Sequence, residues 1–161
     1  MSRSTDDTRL QTRMCYNVYA LHHAFGRCYQ AAFGDTGFTY PKFIVLLALD
    51  ESGPMSLGDL SSKVGLEANS ISPMVKKMSN FGLIERVRDT EDERRVLLSL
   101  LPYGRTVLEE AHRVVNAGWS ELGLSDEDVA EANALLARTR GLLEQKKPQL
   151  TMTIPERDVD D

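Results

Sequence analysis

Residues 55–100, MSLGDLSSKVGLEANSISPMVKKMSNFGLIERVRDTEDERRVLLSL, constrain the fold more tightly than any other stretch. Leu57, Leu60 and Val64 recur at helical spacing behind Ser56. A serine hydroxyl there can accept from an otherwise unpaired amide, so the pattern predicts a helix over 56–64. Gly65 ends it, as glycine readily takes the left-handed conformation that closes a helix. Residues 66–68 form a turn. A second helix follows from about residue 69 or 70 to residue 80, with Ile71, Met74, Val75 and Met78 on its buried side and Phe81-Gly82 closing it. Residues 83–87 and 96–100 are apolar-rich strand candidates around a loop, 88–95, too charged to bury. Two short helices across a glycine-containing turn, then a hairpin, is the layout of a winged helix-turn-helix.

The other face of the second helix carries Asn69, Ser70, Ser72, Lys76 and Lys77. Small hydroxyl, amide and cationic groups suit base edges and phosphates in a major groove, which admits one α-helix. The competing reading is a solvated polar face, and the adjoining hairpin weighs against it. Arg86, Arg88, Arg94 and Arg95 on that hairpin could meet phosphates or the narrow minor groove. Acids beside them, Asp92 among them, could hold an arginine in pose through carboxylate–guanidinium pairing. A merely solvated hairpin tip is the alternative.

The net charge of −5 is awkward for a nucleic-acid binder. The acid is unevenly spread, however. Glu109-Glu110 and segments 121–131 and 156–161 hold much of it, while Lys76, Lys77 and the four hairpin arginines concentrate base in the helix-turn-helix. Global charge speaks to solubility and non-specific binding, not to a local patch. The 161 residues, 42% hydrophobic, suffice for one domain with a core, and no apolar run approaches a membrane span of ~18 residues. The first ten residues are polar, without a signal-peptide core, so a cytoplasmic location is expected.

Around this centre, residues 10–33 read as one long helix with Met14, Val18, Leu21 and Phe25 at helical intervals. Residues 34–37 turn the chain. Thr39 can cap the next helix, and Pro41 sits in its first turn, where a missing N–H is harmless. That helix, to about residue 49, is apolar nearly all round and should be central. Residues 104–122 form another long helix, and Ser125 to Asp128 resemble a capping box opening a last helix to about residue 145. The organisation expected is therefore a mobile segment 1–9, a domain over 10–146 and a disordered tail 147–161. Within the domain, 55–101 is the winged helix-turn-helix, and 10–50 with 104–146 supplies dimerisation helices. Long amphipathic terminal helices around so small a core leave apolar surface that a second copy would cover.

The segment from Ser56 to Arg105 resembles the DNA-binding core of the MarR family of bacterial regulators. The wing pattern is carried by Asp89, Asp92 and Arg94, followed by Leu101-Pro102-Tyr103-Gly104. The resemblance implies a mainly α fold with a small β-hairpin wing, a homodimer whose first and last helices interlock, and a palindromic double-stranded DNA operator.

Cys15 and Cys28 are the two cysteines. Neither lies in a Cys-x-x-Cys pair, and the three histidines complete no zinc set, so no metal or cofactor is expected. Both fall in the first helix, roughly 20 Å apart at ~1.5 Å per residue, too far to bridge within one chain. Tyr19, His22, Gly26 and Tyr29 continue the face of Cys15. A phenol O–H donated to a thiolate favours the charged form, the species that attacks a peroxide oxygen. A buried cysteine packed among aromatics is the other reading.

Residues 14–49 resemble the organic-hydroperoxide-sensing (OhrR-type) branch of the MarR family, which carries an N-terminal reactive cysteine and tyrosines that hydrogen-bond it. The pattern falls here on Cys15, Tyr19, Tyr29 and Tyr40, the last within Thr39-Tyr40-Pro41. His22 and His23 depart from it, as does Glu67-Ala68-Asn69 at the second helix's start, so no operator sequence carries over. No cysteine lies in the last helices, where two-cysteine members keep a resolving partner. That points to capping of Cys15 by a small thiol or to pairing between chains, with Cys28 one option. The resemblance implies a regulator, a repressor, that releases DNA when organic hydroperoxide or a related oxidant oxidises Cys15. The alternative is a MarR-type regulator released by a small aromatic ligand, with Cys15 structural. An enzyme is not expected, since turnover would need a recycling cysteine or cofactor motif that the sequence lacks.

Overall fold

The computed structural model describes residues 9–89 and 96–146. Most of the expected mobile N-terminal segment (1–8), the wing loop (90–95) and the expected tail (147–161) lie outside the described residues. The chain divides into two compact units, Met1–Glu121 and Leu122–Asp161.

In the first unit, α1 runs Met14–Phe33. The helix expected from residue 10 begins four residues later. Leu10–Thr12 is a separate 3-10 turn, and Arg13 is extended (φ −85°, ψ 122°). The Asn17 side-chain amide donates to the Gln11 carbonyl at 2.9 Å, tying the turn to the helix. α2 spans Tyr40–Ser52 with Pro41 in its first turn. Thr39 makes no capping bond through its side chain, contrary to expectation. The Thr36 hydroxyl instead organises the entry, donating to the Phe33 carbonyl and accepting from the Phe38 amide. Phe43, Val45, Leu46, Ala48 and Leu49 of α2 are buried, as a central helix requires.

α3 (Leu57–Val64) begins where its cap demands, with Ser56 Oγ accepting from the Asp59 amide at 3.1 Å. Gly65 closes it in the left-handed region (φ 68°, ψ 29°). α4 covers Ala68–Asn80, starting slightly earlier than periodicity suggested, because the Glu67 carbonyl already accepts from the Ser70 and Ile71 amides. The hairpin is β2 (Ile84–Arg88) and β3 (Val96–Leu100), antiparallel, with Ile84 opposite Leu100 and Arg88 opposite Val96. A third strand was not anticipated. β1, only Met55–Ser56, pairs antiparallel with Leu97 and Leu98, giving the order β1-β3-β2. Two residues carry no readable alternation, and their extended shape comes from the approach to the α3 cap.

One core unites these elements. Leu46, Leu49, Leu60, Ile71, Met78, Ile84 and Leu98 are fully buried in it. Each such side chain contributes about 1.5–3 kcal/mol on leaving water. α5 (Pro102–Glu121) buries Gly104, Leu108 and Ala111 against the same core. Gly104 is there because nothing larger fits: a Cβ would lie 2.0 Å from the Leu83 carbonyl oxygen and 2.8 Å from Leu100 Cδ1. Arg105 ion-pairs with Asp50, joining α5 to the end of α2.

The second unit contains α6, Asp126–Lys146. The expected capping box forms. Ser125 Oγ accepts from the Asp128 amide at 3.1 Å, and Asp128 Oδ2 accepts from the Ser125 amide at 2.9 Å. The Ser125 hydroxyl, donating to the same Asp128 Oδ2 at 2.6 Å, and then the Ser125 amide hold the Asp128 carboxyl below the usual carboxylate range. Leu135, Leu136, Leu142 and Leu143 of α6 are exposed. No described helix is long and apolar enough to cross a membrane.

Candidate nucleic-acid interface

α4 has two faces. Ile71, Val75 and Met78 are buried and Met74 half-buried, so packing fixes the helix's rotation about its axis. The opposite face presents Asn69, Ser70, Ser72, Lys76 and Lys77, all exposed. Ser70 Oγ lies 3.4 Å from Asn69 Oδ1, a loose local contact easily exchanged for an outside partner. Arg86 and Arg88 are exposed on β2, the hairpin strand that follows α4. Asp92, Arg94 and Arg95 fall in the wing loop and lie outside the described residues. Residues 69–77 and the β2 arginines thus offer neutral polar groups on a helix and cations on and beside it, without a buried charge among the described residues. Two features of this face escaped the sequence reading. Pro73 stands inside α4, exposed among the polar residues. Lys77 also lines a cavity behind α4. A proline within a helical period was the visible signal for the first. The second required the tertiary fold.

The sulfur-bearing residues lie elsewhere, on α1. Cys15 and Cys28 are both exposed free thiols. Tyr19, one helical turn from Cys15, is 64% exposed, and its ring meets His23 edge-on at 4.4 Å rather than His22. His22 is itself exposed, 5.6 Å from the His23 ring. Tyr29 is buried, its ring stacked on Tyr40 at 4.2 Å and bordered by Phe25, Phe33 and Phe43. Burial first, and then the adjacent Tyr40 phenol, push the Tyr29 hydroxyl above the ordinary tyrosine range. Fourteen residues separate Cys15 from Tyr29 on one unbroken helix, about 21 Å at ~1.5 Å per residue. The candidate sensing residues are therefore spread along α1, with Cys15 and Tyr19 near its start, His22 midway, and Tyr29 near its end stacked on Tyr40 of α2. A single chain does not bring the thiol to the stacked phenols.

The cavity, about 930 Å³, opens between the end of α1, the start of α2, the end of α4 and α5. Phe38, Phe81 and Tyr103 give it aromatic walls, and Lys42 and Lys77 give it cations. Glu110, the acid on its wall, is engaged by Arg113 at 2.6 and 2.8 Å. Its free charge is therefore positive. No group of three or more metal-ligating side chains occurs among the described residues.

Comparison with known proteins agrees with this geometry. Residues 38–96 match the MarR family profile. The organic hydroperoxide resistance transcriptional regulator of Bacillus subtilis (strain 168) is 31% identical over 144 residues, 89% of this chain and 96% of that protein. The HTH-type transcriptional regulator TtmR of Methylorubrum extorquens (strain PA1) is 36% identical over 100 residues, 62% of this chain and only about half (51%) of its own length. Among solved structures, overoxidized AbfR bound to DNA superposes with a TM-score of 0.66 at 25% identity, covering 84% of this chain and 95% of that one.

Proposed function

The chain belongs to the MarR family of DNA-binding transcriptional regulators, and from that premise we propose that it is a repressor whose hold on DNA depends on the redox state of Cys15. α4 enters the major groove of each half of a palindromic operator, with Asn69, Ser70 and Ser72 toward base edges. Lys76, Lys77, Arg86, Arg88, Arg94 and Arg95 bind the backbone, and Asp92 orients a wing arginine.

The carrying observation is the division of the sensing residues along α1. An exposed thiol stands at one end, and at the other a buried phenol stacked on a half-buried one. In a homodimer whose α1 helices run antiparallel, each Cys15 comes to the Tyr29–Tyr40 pair of the second copy. Exposed Leu10 in the turn before α1, Met14, Val18 and Leu21 on α1, and the leucines of α6 are surface such a dimer would bury. A Cys15 thiolate attacks the terminal oxygen of an organic hydroperoxide. The O–O bond breaks, the alkoxide leaves and is protonated to the alcohol, and the sulfur becomes a sulfenic acid. A small thiol then displaces the hydroxyl as water and leaves a mixed disulfide. Lost phenol–thiolate bonds and added bulk shift the helices and spoil the spacing of the two α4 helices. A coupling of about 2.7 kcal/mol suffices for 100-fold weaker binding.

Operator binding by fluorescence anisotropy, before and after an organic hydroperoxide with a small thiol, tests this. Wild type should dissociate and Cys15→Ser should stay bound. Equal release of both proteins would remove Cys15 from the mechanism.

The 930 Å³ cavity favours a second reading, release by a small aromatic acid. Lys77 faces both the cavity and the DNA side of α4, so a bound carboxylate would compete with phosphate for it. Release of this kind reverses on dilution. Release through Cys15 reverses with a thiol reductant.

A further inference from the structure

Pro73 lies in the interior of α4, five positions after its first residue. Proline has no amide hydrogen, so the carbonyl four residues back loses its helical donor, and the ring crowds that carbonyl. The carbonyl belongs to Asn69. Asn69, Ser72, Pro73 and Lys76 are all exposed and fall on one stripe at helical spacing, while the core contacts of α4 are on the other side. Packing therefore does not call for a proline here. What it does is deprive a main-chain acceptor in the N-terminal half of the helix, on the polar face, of its usual helical donor. In recognition helices this is the part that reaches base edges.

We propose that the Asn69 main-chain carbonyl reads operator sequence, accepting a hydrogen bond from an exocyclic amino group, cytosine N4 or adenine N6, in the major groove. The inference rests on the placement of α4 in that groove. Guanine offers N7 and O6 there and thymine offers O4, all acceptors, so a carbonyl discriminates cytosine or adenine from both. The Asn69 side chain, held only loosely by Ser70 Oγ, can make a separate contact. Any residue other than proline at 73 would supply the missing N–H and close the helical bond to Asn69, withdrawing the acceptor.

The test pairs a protein change with a base change. Operator duplexes are selected from a random pool with the wild-type protein. Each cytosine or adenine specified in a half-site is then replaced singly by its analogue lacking the amino group, 2-pyrimidinone or purine. Dissociation constants are measured for wild type, Pro73→Ala, Pro73→Gln and Lys76→Ala. At one position per half-site, wild type should lose roughly three- to tenfold, the value of one neutral hydrogen bond. Both Pro73 variants should lose less than twofold there, and melting should show them folded. Lys76→Ala should bind more weakly throughout yet keep the penalty. Equal penalties in wild type and both Pro73 variants, or no penalised position in wild type, would overturn the reading. If the Pro73 variants fail in this way while Lys76→Ala still binds weakly, only the carbonyl is wrong. If Lys76→Ala also binds as wild type, the placement of α4 falls as well.

Discussion

Replacing Gly104 by alanine should unsettle the junction between the hairpin and α5. The added Cβ would sit 2.0 Å from the Leu83 carbonyl oxygen, where real Cβ atoms essentially never come within 3.0 Å. Either Leu83 or the first turn of α5 must retreat by about 1 Å. Leu83 cannot yield cheaply, because its carbonyl accepts from the Leu101 amide at 3.1 Å and its side chain is buried. Overpacking of this kind costs about 1–3 kcal/mol. Weakening the Leu83–Leu101 bond adds about 1 kcal/mol. The better helix propensity of alanine returns up to about 1 kcal/mol. The net loss is about 1–3 kcal/mol, or roughly 2–12 °C in melting temperature at this chain length. Gly118, in the same helix, is the control. Its Cβ would meet nothing within 4 Å, so Gly118→Ala should leave the melting temperature unchanged or raise it by a few degrees. Thermal melts of the two variants by circular dichroism decide the matter. A Gly104→Ala protein as stable as wild type would refute the reasoning.

Two further outcomes follow from local geometry. Ser56→Ala removes the acceptor of the Asp59 amide and should cost about 1 kcal/mol in urea denaturation, whereas Ser56→Thr keeps a hydroxyl there and should lose much less. Tyr29 has a raised pKa in the fold, so the folded state favours its neutral phenol. Its contribution to stability is complete below the ordinary tyrosine value of 10.0 and declines as pH climbs from there toward the folded value. Urea midpoints from pH 8 to 11 should therefore fall less steeply in Tyr29→Phe than in wild type. Parallel slopes would show that burial does not hold the proton on Tyr29.

The elements bounded by local chemistry were legible in the sequence. Ser56 and Gly65 delimit α3 through bonds made within a few residues, and the Ser125–Asp128 box marks α6 in the same way. Features made by distant contacts were not. β1 exists because Met55 and Ser56 meet Leu98 and Leu97 some forty residues away. The constraint on Gly104 comes from Leu83, a neighbour only after the chain has turned through the hairpin. At the candidate thiol site Cys15, Tyr19, His22 and Tyr29 do lie on one helix, and the helical rise that separates Cys15 from Cys28 separates it about equally from Tyr29. What periodicity could not supply is that Tyr29 is committed to Tyr40 while Cys15 faces outward.

The strand order β1-β3-β2 leaves β2 with one unpaired edge. Such an edge invites a foreign strand to continue the sheet. Here it alternates little and is short: after buried Ile84, the run Glu85, Arg86, Val87 and Arg88 is exposed and mostly charged. These exposed arginines discourage strand-to-strand aggregation, so neutralising them to test the proposed DNA contacts would carry a second consequence, a loss of solubility.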